Sequence, residues 1–321
     1  MFYDTNGVAQ QSSGFFAGTV TTKGSFSSKW SLAGKSYSLS GQLPVGAVFS
    51  NSIIRKGLGP LSVQLQLDMA GEMLNGTLSD GAWTAQLVAN RGAYSKTNLS
   101  PQAGKYTLVL PGNDDSTAQP GGDGFGTLTV STIGGVKFAG VLGDGTKVAQ
   151  SAIISRAGQW PLYASLYAGN GAVLGWMTFS NQLTSDLDGL VSWIKLAQLA
   201  KLYPGGFTNQ TEAVGSIYQF TNGVRVLNLS TGVVWLAQGN LPASFTNQVA
   251  LGLDNKVINL SSNKLTLTLT TASGLFKGTA TAPGTAAAIP IFGVVLQKQN
   301  AGFGYFLGTN RSDEVFFGPA P

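Results

Sequence analysis

Short runs of alternating apolar and polar residues dominate the chain, separated by Gly, Asn and Asp turns. Ser62-Val-Gln-Leu-Gln-Leu-Asp68 sets Val63, Leu65 and Leu67 on one face, and Lys264-Leu-Thr-Leu-Thr-Leu-Thr270 does the same with Leu265, Leu267 and Leu269. Lys105-Tyr-Thr-Leu-Val-Leu110 is a further run of this kind. A period of two, carried by β-branched and aromatic residues, is the mark of a strand half-buried on a pleated sheet. Turn signals recur about every ten residues, the spacing of an antiparallel meander. Leu32-Ala-Gly34, Asp80-Gly81, Asp144-Gly145, Gly169-Asn-Gly171 and Asn222-Gly223 are examples. One stretch departs from the pattern. Leu190, Trp193, Ile194, Ala197 and Ala200 fall at helical spacing, and Tyr203-Pro-Gly-Gly206 would stop a helix. The spacing predicts a short helix over about 196–203, with Leu190–Lys195 still strand.

Internal similarity suggests repetition. Ser13-Gly-Phe-Phe-Ala-Gly-Thr19 matches Ser273-Gly-Leu-Phe-Lys-Gly-Thr279, and Gly76-Thr-Leu-Ser-Asp-Gly81 matches Gly140-Val-Leu-Gly-Asp-Gly145. Phe2-Tyr3, Gly104-Lys-Tyr106 and Gly215-Ser-Ile-Tyr218 read as three similar opening strands. The predicted fold is all-β: an antiparallel meander forming two or three consecutive barrel- or sandwich-like units, with at most one short helix. The units are placed at 1–101, 102–210 and 211–321. Closing each meander into a barrel or sandwich limits exposed strand edges. Independent units and units that share strands both remain compatible with this pattern.

Composition narrows the chemistry. Cys and His are absent, which excludes disulfides, Cys/His zinc sites, haem-ligating His and Ser-His-Asp or Cys-His catalysis. The 19 basic and 14 acidic residues give a net charge of +5. The basic residues are scattered singly, apart from Arg55-Lys56, and so do not form the patch that nucleic-acid binding needs. Mean hydropathy is +0.14, but no apolar run reaches the length of about 18 residues that spans a bilayer. Ser and Thr fill too many outward strand positions for a membrane barrel, so insertion in a membrane is not expected. The chain opens Met1-Phe-Tyr-Asp without a basic segment and apolar core, as expected of a piece of a longer secreted protein.

Three kinds of site can be sought in such a chain. Trp and Tyr rings lie flat on the apolar faces of sugars. Trp160, Tyr163, Tyr167 and Trp176 are the candidate ligand-binding set, with Tyr163 and Tyr167 on the strand face opposite Trp160. The loop Pro111–Asp123 offers oxygen donors, Asn113, Asp114, Asp115 and Asp123, of the kind that suit Ca²⁺. Their spacing matches no EF-hand pattern, and a polar hairpin loop is the alternative. Asp186 with Asp188, and Asp68 with Glu72, are the carboxylate pairs available to a glycosidase. Neither has the aromatic setting that raises one pKa, and no catalytic residue is assigned.

Gly7-Val … Ser13-Gly-Phe-Phe, Gly124-Phe-Gly-Thr-Leu-Thr-Val130, Gly140–Val148, Gly158-Gln-Trp-Pro-Leu-Tyr163 and Gly302-Phe-Gly-Tyr-Phe-Leu-Gly308 carry a resemblance over nearly the whole chain. It resembles uncharacterised Gly-rich β-repeat regions near the C-termini of large secreted or surface bacterial proteins. The closing Phe316-Phe-Gly-Pro319 is similar, over four residues, to the barrels of transferrin-binding surface lipoproteins. The resemblance implies an extracellular all-β accessory region and supplies no catalytic residue. The expectation is therefore a non-catalytic module that binds polysaccharide. A stalk or filament module that self-associates through strand edges is the alternative, and a carboxylate-dependent glycoside hydrolase the third reading.

Overall fold

The computed structural model describes residues 1–44 and 46–320. It is all-β, with three antiparallel eight-stranded sheets in succession. The first holds β1 (Phe2–Tyr3), β2 (Gly14–Val20), β3 (Ser25–Leu32), β4 (Lys35–Gln42), β5 (Phe49–Ile53), β6 (Leu61–Asp68), β7 (Met73–Ser79) and β8 (Thr84–Asn90). The second holds β9 (Gly104–Leu110), β10 (Gly124–Val130), β11 (Gly135–Val141), β12 (Lys147–Ile153), β13 (Gln159–Leu166), β14 (Gly171–Phe179), β15 (Leu187–Lys195) and β16 (Phe207–Ile217). The third holds β17 (Thr231–Leu236), β18 (Phe245–Leu251), β19 (Val257–Asn259), β20 (Leu265–Thr270), β21 (Leu275–Thr281), β22 (Ala288–Leu296), β23 (Ala301–Leu307) and β24 (Ser312–Gly318).

Each meander closes on itself because its first strand pairs with its last: β1 with β8, β9 with β16, β17 with β24. Each ring stays open at one seam, between β4 and β5, β12 and β13, and β19 and β20. These are nearly closed barrels. The alternation read along the chain fills them. Val63 and Leu65 are buried in the first barrel, and Leu265 and Leu267 in the third. Trp30 fills the first core with Phe2 and Phe16, Trp160 the second with Phe138, and Phe276 and Phe317 the third.

The boundary at 101/102 falls between β8 and β9 as expected, but the second boundary differs. Gly215-Ser-Ile-Tyr218 does not open the third unit. Its first three residues end β16, in register with β9 from Val214↔Val109 to Ile217↔Tyr106, so the second unit runs past 210 to Ile217. Tyr218, the next residue, packs in the third core. The repeated segments also fall at unequal ranks. Gly14–Val20 is the second strand of its barrel and Leu275–Thr281 the fifth of its own. These matches mark a shared hairpin chemistry rather than equivalent places. Gly34 and Gly145 do correspond, each in the turn after the third strand.

No α-helix occurs among the described residues. The predicted helix at 196–203 is an irregular loop, while Leu190–Lys195, read as strand, lies within β15. Helical spacing arose because β15 is buried on both faces: Val191 and Trp193 face the barrel interior and Ile194 the first unit. Leu199 is fully exposed, whereas Leu202 and Tyr203 are buried. The Leu196 N–H donates to Asn170 O at 2.8 Å and the Gln198 N–H to Pro204 O at 2.9 Å, bonds a helix could not make.

The barrels pack directly against one another. Between the first two, Phe15 stacks on Tyr163 at 6.3 Å, and Gln10 donates its amide to Gly169 O. Gly34 and Gly169, both at positive φ, let the chains meet there: a Cβ on Gly169 would stand 2.7 Å from Ala33 O. Gly169→Val is expected to cost about 1–3 kcal/mol and to expose 91–103 to limited proteolysis. Unchanged proteolysis would show that this contact does not hold the units together. Between the second and third barrels, the Thr107 hydroxyl donates to Val295 O at 2.7 Å, and Lys298 pairs with Asp186 at 2.9 Å.

Candidate functional site

Alternation on β13 and β14 sorts the four candidate aromatic residues into different places. Trp160 points inward and is fully buried, its indole N–H donating to Gln150 Oε1 at 3.2 Å. It cannot serve as a ligand platform, and that expectation is corrected: Trp160 is core. Tyr163 does lie on the opposite face, but it is buried between the first two barrels against Phe15. Tyr167 falls in a single 3-10 turn (Tyr167–Gly169) and leaves the strand alternation. Its hydroxyl donates to Asp144 Oδ2 at 2.7 Å and accepts from the Trp193 indole at 3.0 Å. Lys195 Nζ lies 5.0 Å from its ring centroid. Burial pushes the Tyr167 hydroxyl above its ordinary range, and the Asp144 carboxylate adds to the shift. Tyr167 thus holds the end of the second barrel closed.

Trp176 remains partly exposed. It sits opposite Pro161 in the β13–β14 register and looks outward, while its neighbour Met177 fills the core. A groove of about 860 Å³ runs past it between the first and second barrels. Phe15 and Phe16 of β2 supply apolar surface, and Pro161 extends the Trp176 face. Hydroxyl and amide groups come from Ser38 and Ser40 of β4, Ser151 of β12, Asn90 and Gln159. Asn90 Nδ2 donates to Gln159 Oε1 at 3.2 Å, tying the two walls together. No Asp or Glu lines the groove, and Lys29 stands at it. Flat aromatic surface beside short neutral donors and acceptors suits an uncharged polar ligand with apolar faces. The chain matches no protein-family model and none of the curated proteins.

The loop donors also separate. Asp115 turns onto its own loop, accepting from the Thr117 N–H at 3.0 Å and from the Thr117 hydroxyl. Asn113 Oδ1 accepts the Asp115 N–H at 3.0 Å. Asp123 is buried and accepts the Gly112 N–H at 2.8 Å. Asn113, Asp114 and Asp123 line a second cleft, together with Asp313 and Glu314 of β24. Among the described residues, no three acidic side chains converge closely enough to hold a metal ion. Of the four predicted donors, Asn113, Asp114 and Asp123 line this cleft and Asp115 is not among its lining residues.

The carboxylate pairs considered for sugar hydrolysis are occupied elsewhere. Asp186 accepts the Ile217 N–H at 2.7 Å besides pairing with Lys298, and Asp188 accepts from Ser185 Oγ at 2.8 Å. Asp68 caps the Gly71 N–H at 2.9 Å, and Glu72 pairs with Arg91 at 2.9 Å. Sequence reading missed Asp313, Glu314 and Trp235. Their signal was hidden because they meet the Asp123 loop only across the barrel–barrel contact.

Proposed function

We propose that the chain is an extracellular, non-catalytic binding module whose groove between the first and second barrels takes a polysaccharide segment. The observation that carries this reading is the partly exposed Trp176 beside Pro161, in a groove rich in hydroxyl and amide side chains and free of carboxylates. A sugar ring can stack on the indole while Ser, Asn and Gln groups exchange hydrogen bonds with its hydroxyls. The absence of an acid pair along the groove argues for binding rather than hydrolysis there. A location outside the cell accords with the lack of Cys and with the resemblance to surface-protein β-repeats.

The purified chain should be retained on at least one insoluble polysaccharide of a broad panel, with a tryptophan fluorescence shift on titration with the matching soluble oligosaccharide. Trp176→Ala should weaken that binding at least about tenfold and leave the melting temperature nearly unchanged. No retention across the panel, or retention indifferent to Trp176→Ala, sinks the groove as the site.

The open seams favour a second reading, self-association through strand edges. β4 and β5 each pair on one side only, as do β12 and β13. Concentration-dependent dimers in analytical ultracentrifugation would support it, and a monomer at all concentrations would remove it.

A further inference from the structure

Lys29 is the one charged residue among those lining the Trp176 groove. The indole ring, the hydroxyls and the amides fit the uncharged body of a sugar and leave Lys29 without a role. Among the described residues no carboxylate pairs with it, since the ion pairs are made by Arg55, Arg91, Arg156 and Lys298.

Two ordinary roles of a strand lysine do not apply. β3 pairs with β2 on one side and β4 on the other, so Lys29 guards no free edge. Ala17 and Ser38 stand directly opposite it, and they give its stem little apolar surface to cover. The alternation of β3 instead aims it outward: Ser28 and Trp30 are buried, whereas Ser27 and Lys29 are exposed. Ser27 stands opposite Thr19 of β2 and Ser40 of β4, and all three line the groove with Ser38. The ammonium therefore rises from a floor of hydroxyl groups.

The far wall carries the same sign. Ser151 of β12 lines the groove, and Lys137 of β11 stands directly opposite it in register, both exposed. At the end marked by Asn90 and Ser155, Arg91 and Arg156 share the single carboxylate of Glu72, which leaves that end net positive. A cleft walled by one sign of charge concentrates ligands of the other. An ammonium makes charge-assisted hydrogen bonds of about 2.7–2.9 Å to an anionic oxygen, and neighbouring hydroxyls can donate to the remaining oxygens.

We propose that the groove selects an acidic polysaccharide, one whose sugars carry an anionic group, carboxylate or sulfate, and that Lys29 is the residue that reads this charge. The inference rests on the reading of the Trp176 groove as a glycan site and adds the class of glycan to it. Trp176 supplies the stacking surface common to all sugars, and Lys29 the preference among them.

The test is binding of the full chain to matched soluble polymers that differ chiefly in charge: polygalacturonate and its methyl ester, carboxymethylcellulose and hydroxyethylcellulose, dextran sulfate and dextran. The charged member of at least one pair should bind at least about tenfold tighter than its neutral partner, and the ratio should shrink in about 0.5 M NaCl. Preference within the first two pairs assigns a carboxylate, and preference within the third a sulfate. Lys29→Gln should bring the ratio close to one without moving the melting temperature, and Lys29→Arg should keep it. Lys277→Gln removes an exposed charge from the third barrel and should leave the ratio as it is. Trp176→Ala should weaken both members of a pair alike. A preference reduced equally by Lys29→Gln and Lys277→Gln would be attraction to the net charge of +5 and would overturn the proposal. Equal binding within every pair would overturn it too, while a loss on Trp176→Ala would then still uphold the groove as a glycan site. Binding to none of the polymers would remove that site and this inference together.

Discussion

Replacing Trp160 by Ala is expected to cost about 3–5 kcal/mol, the range for deleting a fully buried large aromatic side chain. Trp160 is fully buried, packs on Phe138 with ring centroids 5.5 Å apart, and donates to Gln150 Oε1. Gln150 in turn donates to Pro161 O at 2.9 Å across the seam between β12 and β13. No ladder bonds close that seam, so this side-chain bridge joins strands that the backbone leaves apart. The substitution opens a cavity and loses the bridge together. Denaturant unfolding should show the drop in midpoint, whereas Trp176→Ala should move it by less than about 1 kcal/mol because its ring is partly exposed. A stable Trp160→Ala protein that no longer binds glycan would reverse the two assignments.

The second large effect is on the pH dependence of stability. Burial pushes the Asp123 carboxyl up to about 8, the Glu314 charge pushes the same way, and the Gly112 N–H pulls against them. In the unfolded chain the group titrates near 3.9. Between about pH 4 and pH 8 the folded state therefore holds a proton that the unfolded state has released. Stability falls as pH rises through that window, by up to about 1.4 kcal/mol per pH unit from this group, and levels off above it. The carboxyls of Asp313 and Glu314 are raised too, chiefly by burial, and act in the same direction. Asp80 acts oppositely: burial raises its carboxyl, but the Ala82 N–H and Arg55 outweigh that and hold it below its usual value. Asp123→Asn isolates the single contribution, because an amide keeps the acceptor for Gly112 and carries no charge. Variant and parent should have nearly equal melting temperatures at pH 4, with the variant clearly higher at pH 8. Parallel curves would show that Asp123 ionises normally in the folded state.

Most of the architecture was legible in local pattern. β6 and β20 were readable because each buries one face, so a period of two survives in the residues themselves. The turn at Gly34 was readable because a positive φ demands a residue without Cβ. Where a strand buries both faces, the code fails. β9 hides Tyr106 and Leu108 in its own barrel and Val109 against the third, and β15 does likewise with Trp193 and Ile194. Adjacent apolar residues then imitate a helix or a uniform run, and the false helix at 196–203 came from this. The strand ending at Ile217 was assigned to the wrong barrel because closure of a ring depends on a partner more than a hundred residues away.

The candidate sites divide along the same line. An exposed tryptophan and a buried one look alike in composition, so Trp160 and Trp176 were not separable until the β13–β14 register set one inward and the other outward. The acidic cleft depends on Asp123 meeting Asp313 and Glu314, residues of different barrels brought together by apolar surfaces such as Phe125 against Tyr305. Sequence alone determined an all-β chain of short antiparallel strands, its turns, and a succession of two or three units, since these follow from alternation and backbone geometry within a few residues. Tertiary structure decided where each ring closes, which aromatic residues meet solvent and which carboxylates share a cleft. Those properties belong to contacts between distant segments, and no local pattern encodes them.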